Sequence, residues 1–201
     1  LRLSALGDAV HALAVVRELQ RAFPGVPITW VIGKGEAKLL EGLDGVEFIV
    51  FDKKAGLAGF RALRANLAGR RFDVLLHLQL ALRAGLASTL VRADRRIGFD
   101  RGRSKEGHSL FINERIAPGG HHVLDAFLQY LAPLGIAPGP VERRLPVPAE
   151  AHAWAEQQLP GDQPTLLVSP CSSHPLRNWR AERYAAVADH AAARGWRVVL
   201  C

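Results

Sequence analysis

The stretch Leu1-Arg2-Leu3-Ser4-Ala5-Leu6-Gly7-Asp8 leads into apolar residues at helical spacing that continue to Gln20. The residues up to Leu3 predict the end of a strand, and the spacing from about Asp8 to Phe23 predicts a helix. A turn with a glycine and a carboxylate therefore joins the two elements. Because substrates of α/β proteins bind outside the carboxyl ends of the strands, we expect a functional site at this turn.

The same alternation of strand and helix repeats along the chain. Strands are predicted at residues 28–32, 46–51, 74–78 and 95–99, and helices at 36–43, 57–67, 80–91 and 121–134. Strands that alternate with helices of this length are typical of a parallel sheet covered on both faces. The predicted fold class is therefore α/β, with a doubly wound first domain.

A stretch rich in proline separates this domain from a second one. Prolines are frequent between residues 138 and 150, where they leave little room for regular structure. The expected organisation is a domain at 1–137, a linker at 138–150 and the start of a second α/β domain at 151–201. Because the sequence begins and stops within apparent strands and contains no Met, we expect a fragment of a longer chain.

Length and composition exclude several protein classes. A chain of 201 residues with 49% hydrophobic residues can bury a substantial core, which excludes disorder. No apolar run reaches the length of a membrane span, and the chain does not open with a signal segment. Two cysteines are too few for a disulfide framework, which favours a soluble protein of the reducing cytoplasm.

The net charge of +7 is concentrated in one part of the chain. Residues 61–115 hold twelve basic and five acidic groups, whereas the segments before and after hold seven of each. Such a stretch attracts anions, although a solvated basic face is as common. Nucleic acid is the weaker partner because only Phe72, Phe99 and Phe111 are present there for base stacking.

Asp8 has two interpretations. At the start of a helix, the more common role of a carboxylate is to cap the first turn and meet the positive end of the helix dipole. On a turn after a strand, it can act as a general base for a substrate hydroxyl, while Gly7 lets the backbone approach closely. The turn lacks the three glycines of a dinucleotide-binding fingerprint and the Gly-Lys-Ser/Thr ending of a P-loop, so both motifs are excluded.

A second polar loop runs from Ser169 to Trp179, between a predicted strand at 165–169 and a predicted helix at 181–194. Its hydroxyls, the free amides of the following helix and the Arg177 guanidinium could hold a diphosphate. A plain capping loop is the more common case for this composition.

Two further candidates have little support. Cys171 lacks a neighbouring base and orienting group, which argues against a nucleophile. His121 and His122 are adjacent on a predicted helix, so at most one of them could join Asp125 in a metal site. Residues at a helix start are the simpler interpretation, and no metal is expected.

Taken together, these segments resemble the bacterial heptosyltransferases of glycosyltransferase family 9, which build the inner core of lipopolysaccharide. The resemblance spans nearly the whole chain and rests on an ordered set of short motifs. They are Arg2-Leu3-Ser4-Ala5-Leu6-Gly7-Asp8 with Val10-His11, Arg21-Ala22-Phe23-Pro24-Gly25, Arg95-Arg96-Ile97-Gly98-Phe99, Ser109-Leu110-Phe111-Ile112-Asn113, and Ser172-Ser173 followed by Arg177-Asn178-Trp179.

The resemblance implies a GT-B fold of two Rossmann-like, doubly wound domains, the second incomplete in this chain. It implies inverting transfer of a heptose from ADP-heptose to a Kdo sugar or an earlier heptose, without an essential metal or a bound cofactor. The acceptor would be an anionic inner-core glycan at a membrane surface. The protein would be cytoplasmic, peripheral to the inner face of the cytoplasmic membrane.

The same resemblance implies roles for single residues. Asp8 would be the general base, and Ser172, Ser173 and Arg177 would bind the donor diphosphate and stabilise the charge on the departing ADP. Arg177 stands where the family often has Lys, and the two side chains present their donors differently.

Acceptor contacts are expected from the first domain. They would come from Ser4, Arg101, Arg103 and Lys105. Arg61 and Arg64, one helical turn apart, are a second possibility. The donor-site segments that the family carries later in its sequence would follow Cys201, so this chain alone is expected to be inactive.

Two rival functions remain open at this point. One is a non-catalytic nucleotide-sugar-binding or interaction domain with the same fold. The other, weaker rival is a nucleic-acid-binding module, whose affinity would depend steeply on salt.

Overall fold

The structure is a computed structural model that describes residues 1–119, 122–142, 144–172 and 174–201. The chain forms two compact units, Leu1–Pro146 and Val147–Cys201. The boundary between them falls inside the proline-rich stretch 138–150.

The first unit alternates helices and strands. In chain order these are α1 (Leu6–Ala22), β1 (Ile28–Gly33), α2 (Lys34–Leu39), β2 (Val46–Phe51), α3 (Gly56–Asn66), β3 (Phe72–Leu76), α4 (Leu82–Ser88), β4 (Ala93–Gly98), β5 (Glu114–Arg115) and α5 (Val123–Leu128). Two 3-10 helices, His108–Leu110 and Gln129–Leu134, also lie in this unit.

An extended segment at Leu1–Leu3 joins two groups of parallel strands into one sheet. β1 pairs with β2, and β3, β4 and β5 pair in that order, all in parallel. On one side of the segment, the Arg2 N–H donates to the Val31 carbonyl; on the other, the Leu78 N–H donates to the Leu1 carbonyl, both at 3.1 Å. The resulting order is β2, β1, residues 1–3, β3, β4, β5. If residues 1–3 are counted as the first strand, the order across the sheet is 3-2-1-4-5-6, which is the strand order of a Rossmann fold.

Apolar side chains form a core on each face of this sheet. α1 and α5 cover one face, where Leu13 is fully buried, and α3 and α4 cover the other, where Leu63 is fully buried. Along β1, Trp30 and Ile32 contribute to the first core and Val31 to the second. Strands buried on both faces read as continuous apolar runs, so the doubly wound α/β prediction is confirmed.

Several boundaries differ from the predictions. α1 begins at Leu6 rather than near Asp8, so Asp8 is the third residue of the helix. α2 ends at Leu39 rather than Leu43, because the chain turns through Gly42 with φ +85°. The helix predicted at 121–134 is α5 followed by a 3-10 helix, since Pro133 has no N–H to donate. His121 lies outside the described residues.

The second unit contains two parallel strands. Its elements are α6 (Ala149–Gln158), β6 (Thr165–Val168), a 3-10 turn at Pro175–Arg177, α7 (Ala181–Ala192) and β7 (Arg197–Leu200). β6 pairs with β7, with Thr165 beside Arg197. The loop before α7 therefore leaves the carboxyl end of β6. No helix in the described ranges is both long and apolar enough to cross a membrane.

Candidate active site

The switch point of the sheet lies between the extended segment 1–3 and β3. The helix after the segment, α1, packs on one face, and the helix after β3, α4, packs on the other. Adjacent strands whose connections leave in opposite directions open a crevice at their carboxyl ends. Asp8 and Ser4 lie at the carboxyl end of one strand and Gln79 lies at that of the other. This is where a substrate of this fold class binds.

Asp8 presents one carboxylate oxygen to the protein. Oδ2 accepts hydrogen bonds from the Arg2 guanidinium and from the Ala5 N–H, the latter at 3.3 Å. The side chain is 30% exposed, and Oδ1 has no hydrogen-bond donor among the described residues. The Ala5 bond is a helix cap, so Asp8 does serve the first turn of α1. The second oxygen is left to accept a proton.

Arg2 holds the Asp8 carboxylate in place. Its side chain is only 13% exposed, its Nη1 donates to the Leu78 carbonyl at 2.5 Å, and its guanidinium lies 5.4 Å from the centre of the Phe127 ring. Burial lowers the pKa of Arg2 and the Asp8 charge opposes that shift, so the side chain stays cationic. The sequence pattern pointed to the motif but not to this contact.

Ser4 and Gln79 form a second polar pair at the same end of the sheet. The Gln79 Oε1 accepts from the Leu3 N–H at 2.7 Å, and its Nε2 donates to the Ser4 Oγ at 3.2 Å. Gln79 thus supplies the hydrogen-bond acceptor that a neighbouring strand would otherwise offer to the Leu3 N–H. It also orients Ser4, which is predicted to bind the acceptor substrate. Gln79 is not identified from the sequence, although a polar residue directly after an apolar strand is a recognisable signal.

A buried histidine pair lies beneath the loop that follows β4. His77 and His108 are 0% and 1% exposed and their rings meet edge to face, with centres 4.6 Å apart. The His108 Nε2 accepts from the Phe99 N–H at 3.1 Å, which fixes the start of the loop. Burial, and after it the charge of His108, lowers the pKa of His77 to about 3. Burial also lowers the pKa of His108, so both rings are neutral near pH 7.

The three predicted basic residues of this loop differ in their surroundings. Arg103 is bonded within the protein: it donates to the Asp100 carboxylate, to the Ala117 carbonyl and to the Gln129 Oε1. Burial raises the pKa of Asp100, but the hydrogen bonds and charge of Arg103 outweigh it, so the net shift is downward. Arg101 and Lys105 are exposed, and their side chains make no hydrogen bond or ion pair with the described residues.

In the loop after β6, Ser172 is hydrogen-bonded to other loop residues and Arg177 presents an exposed cation. The Ser172 N–H donates to the Asn178 Oδ1 at 2.8 Å, and the Ser172 Oγ donates to the His174 carbonyl at 3.0 Å. The exposed Arg177 guanidinium makes no hydrogen bond or ion pair with the described residues. Ser173, the other predicted phosphate ligand, lies outside the described residues.

Two other features do not add to the site. Within residues 1–119, 122–142, 144–172 and 174–201, no group of three or more His, Cys, Asp or Glu could hold a metal ion. A cavity of about 600 Å³ lies between the amino ends of β1 and β3, lined by side chains such as Val15 and Val74. It is at the opposite end of the sheet from Asp8.

The sequence profile of glycosyltransferase family 9 (heptosyltransferase) matches residues 60–201. The chain belongs to glycosyltransferase family 9. Its resemblance to that family, inferred from the motifs, is thereby confirmed. The match extends over β3 to β5, the polar loop after β6 and the whole second unit.

A named relative agrees with this family 9 assignment. The chain is 39% identical to the lipopolysaccharide core heptosyltransferase OpsX of Haemophilus influenzae, over 100% of its own length and 58% of that protein. It therefore spans less than two thirds of this relative.

Solved structures agree on the fold of this family 9 chain. A family 9 glycosyltransferase from Veillonella parvula matches with a TM-score of 0.80 at 22% identity, over 98% of this chain and 60% of that one. The heptosyltransferase WaaC of E. coli with ADP-2-deoxy-2-fluoro heptose matches with a TM-score of 0.74 at 21% identity, over 100% and 68%. The GT-B fold class is confirmed, with a second unit that covers part of a domain.

Proposed function

We propose that the full-length protein transfers a heptose from ADP-heptose to the Kdo or heptose inner core of lipopolysaccharide. Membership of family 9 supports the reaction class, and OpsX is named as a lipopolysaccharide core heptosyltransferase. The donor is supported by the WaaC structure, whose ligand is an ADP-heptose analogue. Residues 1–137 form the acceptor domain and residues 151–201 begin the donor domain.

The position of Asp8 is the observation that carries the mechanism. A general base needs a free lone pair directed at the substrate and a fixed position. In Asp8, Oδ2 is held by Arg2 and Ala5, and Oδ1 has no donor in the described structure. Asp8 takes the proton of the acceptor hydroxyl as that oxygen attacks the anomeric carbon of the heptose.

The reaction is a single displacement. The new bond forms between the acceptor oxygen and the anomeric carbon, and the bond from that carbon to the diphosphate breaks with its electron pair leaving on ADP. The attack comes from the side opposite to ADP, so the anomeric configuration inverts. The leaving diphosphate gains negative charge, which the Arg177 guanidinium and the Ser172 and Ser173 groups stabilise. None of these steps uses a metal.

The acceptor is anionic and lies at a membrane surface, where the protein is peripheral on the cytoplasmic side. Ser4 accepts a hydrogen bond from Gln79 and lies at the same end of the sheet as Asp8, which suits it to bind the reacting sugar. Arg101 and Lys105 are exposed and suit the carboxylates of Kdo. Arg103 is the least suited of the four, because its guanidinium already binds Asp100 and Gln129.

The test is the product that the full-length protein forms. Incubated with ADP-heptose and a Kdo-terminated acceptor, it is expected to add one heptose, detected by mass spectrometry, with an inverted anomeric bond in the proton NMR spectrum. ADP-glucose serves as the matched donor control and is expected to react far more slowly. Absence of transfer, or retention of configuration, would contradict the proposal.

A binding module with the same fold predicts a different result. It would bind ADP-heptose without turnover, and Asp8→Asn would change nothing that can be measured. The enzyme predicts that Asp8→Asn keeps the affinity for ADP-heptose, measured by calorimetry, while transfer is lost.

A further inference from the structure

Glu36 is a buried carboxylate that the proposed mechanism does not use. It is the third residue of α2 and only 7% exposed, although it carries a charge. A glutamate at this position of a helix commonly accepts the backbone N–H of the residue before the helix, but no such bond forms here. The usual capping role of a glutamate in the first turn is therefore not realised.

The two carboxylate oxygens of Glu36 have different surroundings. Oε1 lies 3.7 Å from the Lys53 Nζ, which is ion-pair distance but too far for a hydrogen bond. Oε2 lies beside the Leu3 carbonyl oxygen, and both of these oxygens occupy the space that a side chain on Gly33 would fill. Within the described ranges, neither carboxylate oxygen accepts a hydrogen bond. Buried carboxylates are normally hydrogen-bonded, so this one is left to accept bonds from a ligand.

Glu36 lies at the same end of the sheet as the candidate base. α2 follows β1 directly, and β1 is the neighbour of the extended segment 1–3, which leads to Ser4 and Asp8. Burial lowers the pKa of Arg2, and the charges of Asp8 and, more weakly, of Glu36 oppose that shift. The Arg2 guanidinium that holds Asp8 is thus also within electrostatic reach of Glu36.

The chemistry of these oxygens suits a ligand that carries hydroxyl groups. The Glu36 Oε2 and the Leu3 carbonyl oxygen are both acceptors, so a group that donates O–H bonds can satisfy them together. A second anion would be repelled by the Glu36 charge. Adjacent hydroxyl groups are what a sugar offers.

We propose that Glu36 binds hydroxyl groups of the acceptor sugar and thereby fixes which side of that sugar faces α2. One hydroxyl donates to the Glu36 carboxylate, and the acidic group of the acceptor is kept away from this side of the crevice by the same charge. Glu36 is then a specificity-determining residue of the acceptor site. The proposal rests on the proposed function for the identity of the acceptor.

The experiment compares Glu36→Gln with the parent, both as full-length proteins, on a water-soluble Kdo-terminated oligosaccharide. Gln keeps the size and one acceptor oxygen but loses the charge, and hydrogen bonds to charged groups are the stronger ones. Calorimetry should show acceptor binding weakened about tenfold, and the acceptor KM should rise by the same factor with kcat within about twofold. Glu41→Gln, at an exposed glutamate just after α2, is the matched control and should behave as the parent does.

Deoxy derivatives of the acceptor separate a direct contact from a structural role. Each hydroxyl of the terminal sugar except the reacting one is removed in turn. One of these derivatives should bind the parent about tenfold more weakly than the intact acceptor does, while Glu36→Gln should bind both about equally. Lys53→Met removes the ion-pair partner but keeps the carboxylate, so it should still prefer the intact acceptor. A Glu36 that acted only by anchoring Lys53 would lose that preference in Lys53→Met as well.

A second variant covers the case in which Glu36→Gln folds poorly, which thermal unfolding would show. Glu36→Asp keeps the charge but withdraws the carboxylate by one methylene group, and it should lose the preference for the same hydroxyl.

Each outcome decides the proposal. Weaker acceptor binding in Glu36→Gln, with loss of the preference for one hydroxyl, supports it. Parent affinity in Glu36→Gln, or an unchanged preference for every hydroxyl, overturns it. Heptose transfer by the parent tests the proposed function separately. A parent that transfers heptose while Glu36→Gln keeps its acceptor affinity contradicts only the role of Glu36. A parent that binds the acceptor through Glu36 but transfers no heptose contradicts only the proposed function.

Discussion

Replacing Arg2 with Met should destabilise the first unit. The side chain is 13% exposed and donates to the Asp8 carboxylate and, at 2.5 Å, to the Leu78 carbonyl. Met keeps an unbranched apolar stem against Phe127 but supplies no donor. The substitution therefore removes the charge and both hydrogen bonds while leaving most of the packing.

The expected cost follows from how deeply each partner is buried. Removing one member of a fully buried ion pair costs about 3–5 kcal/mol. Because Asp8 is 30% exposed, water replaces part of the lost contact. The cost of losing the Arg2–Asp8 ion pair therefore falls to about 2 kcal/mol. The Leu78 carbonyl, left without its donor, adds about 1 kcal/mol. We expect a loss of about 3 kcal/mol in the free energy of unfolding.

Urea unfolding followed by tryptophan fluorescence measures this loss. Trp30 is the tryptophan of residues 1–146, and its indole N–H donates to the Arg2 carbonyl at 3.2 Å, so it reports on this region. Arg92→Met is the matched control, because Arg92 is exposed, and should cost less than about 0.5 kcal/mol. An Arg2→Met protein as stable as Arg92→Met would refute the role assigned to Arg2.

Three further predictions concern other residues. Because burial lowers the pKa of His77 to about 3, the unfolded chain binds a proton at this residue at higher pH than the folded chain does. The free energy of unfolding should therefore fall as the pH drops below about 6.5, by up to about 1.4 kcal/mol per pH unit. His77→Gln should reduce this pH dependence in urea titrations, and an unchanged dependence would contradict the assignment to His77. Gln79→Leu leaves the Leu3 N–H unpaired and should cost about 1–3 kcal/mol of stability, whereas Gln163→Leu on an exposed loop should not. Arg177→Ala should weaken the binding of ADP, measured by calorimetry, about tenfold or more. Arg180→Ala serves as the control, and an equal loss of affinity in both variants would contradict a particular role of Arg177 in binding the diphosphate.

The order of elements could be predicted because it depends on local pattern. Strands buried on both faces and amphipathic helices leave periodic apolar residues, which a sequence shows directly. Helix ends were less accurate, since α5 stops where Pro133 changes the bonding and not where apolar residues end. That Leu1–Leu3 completes the sheet depends on contacts with Val31 and Leu78, which periodicity does not record.

The candidate site was only partly predictable for the same reason. Asp8 and Ser4 belong to a local motif, whereas Gln79 meets Leu3 across 76 positions of sequence. Arg2 was part of the motif, but its bond to Asp8 becomes visible only when the turn is folded. Arg103 was predicted to meet the acceptor because of its charge, yet its burial against Asp100 is set by the loop conformation. Charge patterns predict a basic surface but not which cations are free.

The rate of the chemical step tests the proposed role of Asp8 most directly. In a single turnover with saturating ADP-heptose and acceptor, Asp8→Asn should transfer heptose about 10²–10⁴-fold more slowly than the parent, because no base takes the hydroxyl proton. Asp44→Asn, a matched change of an exposed carboxylate, should react at the parent rate. A single-turnover rate for Asp8→Asn equal to that of Asp44→Asn would contradict the assignment of Asp8 as the base.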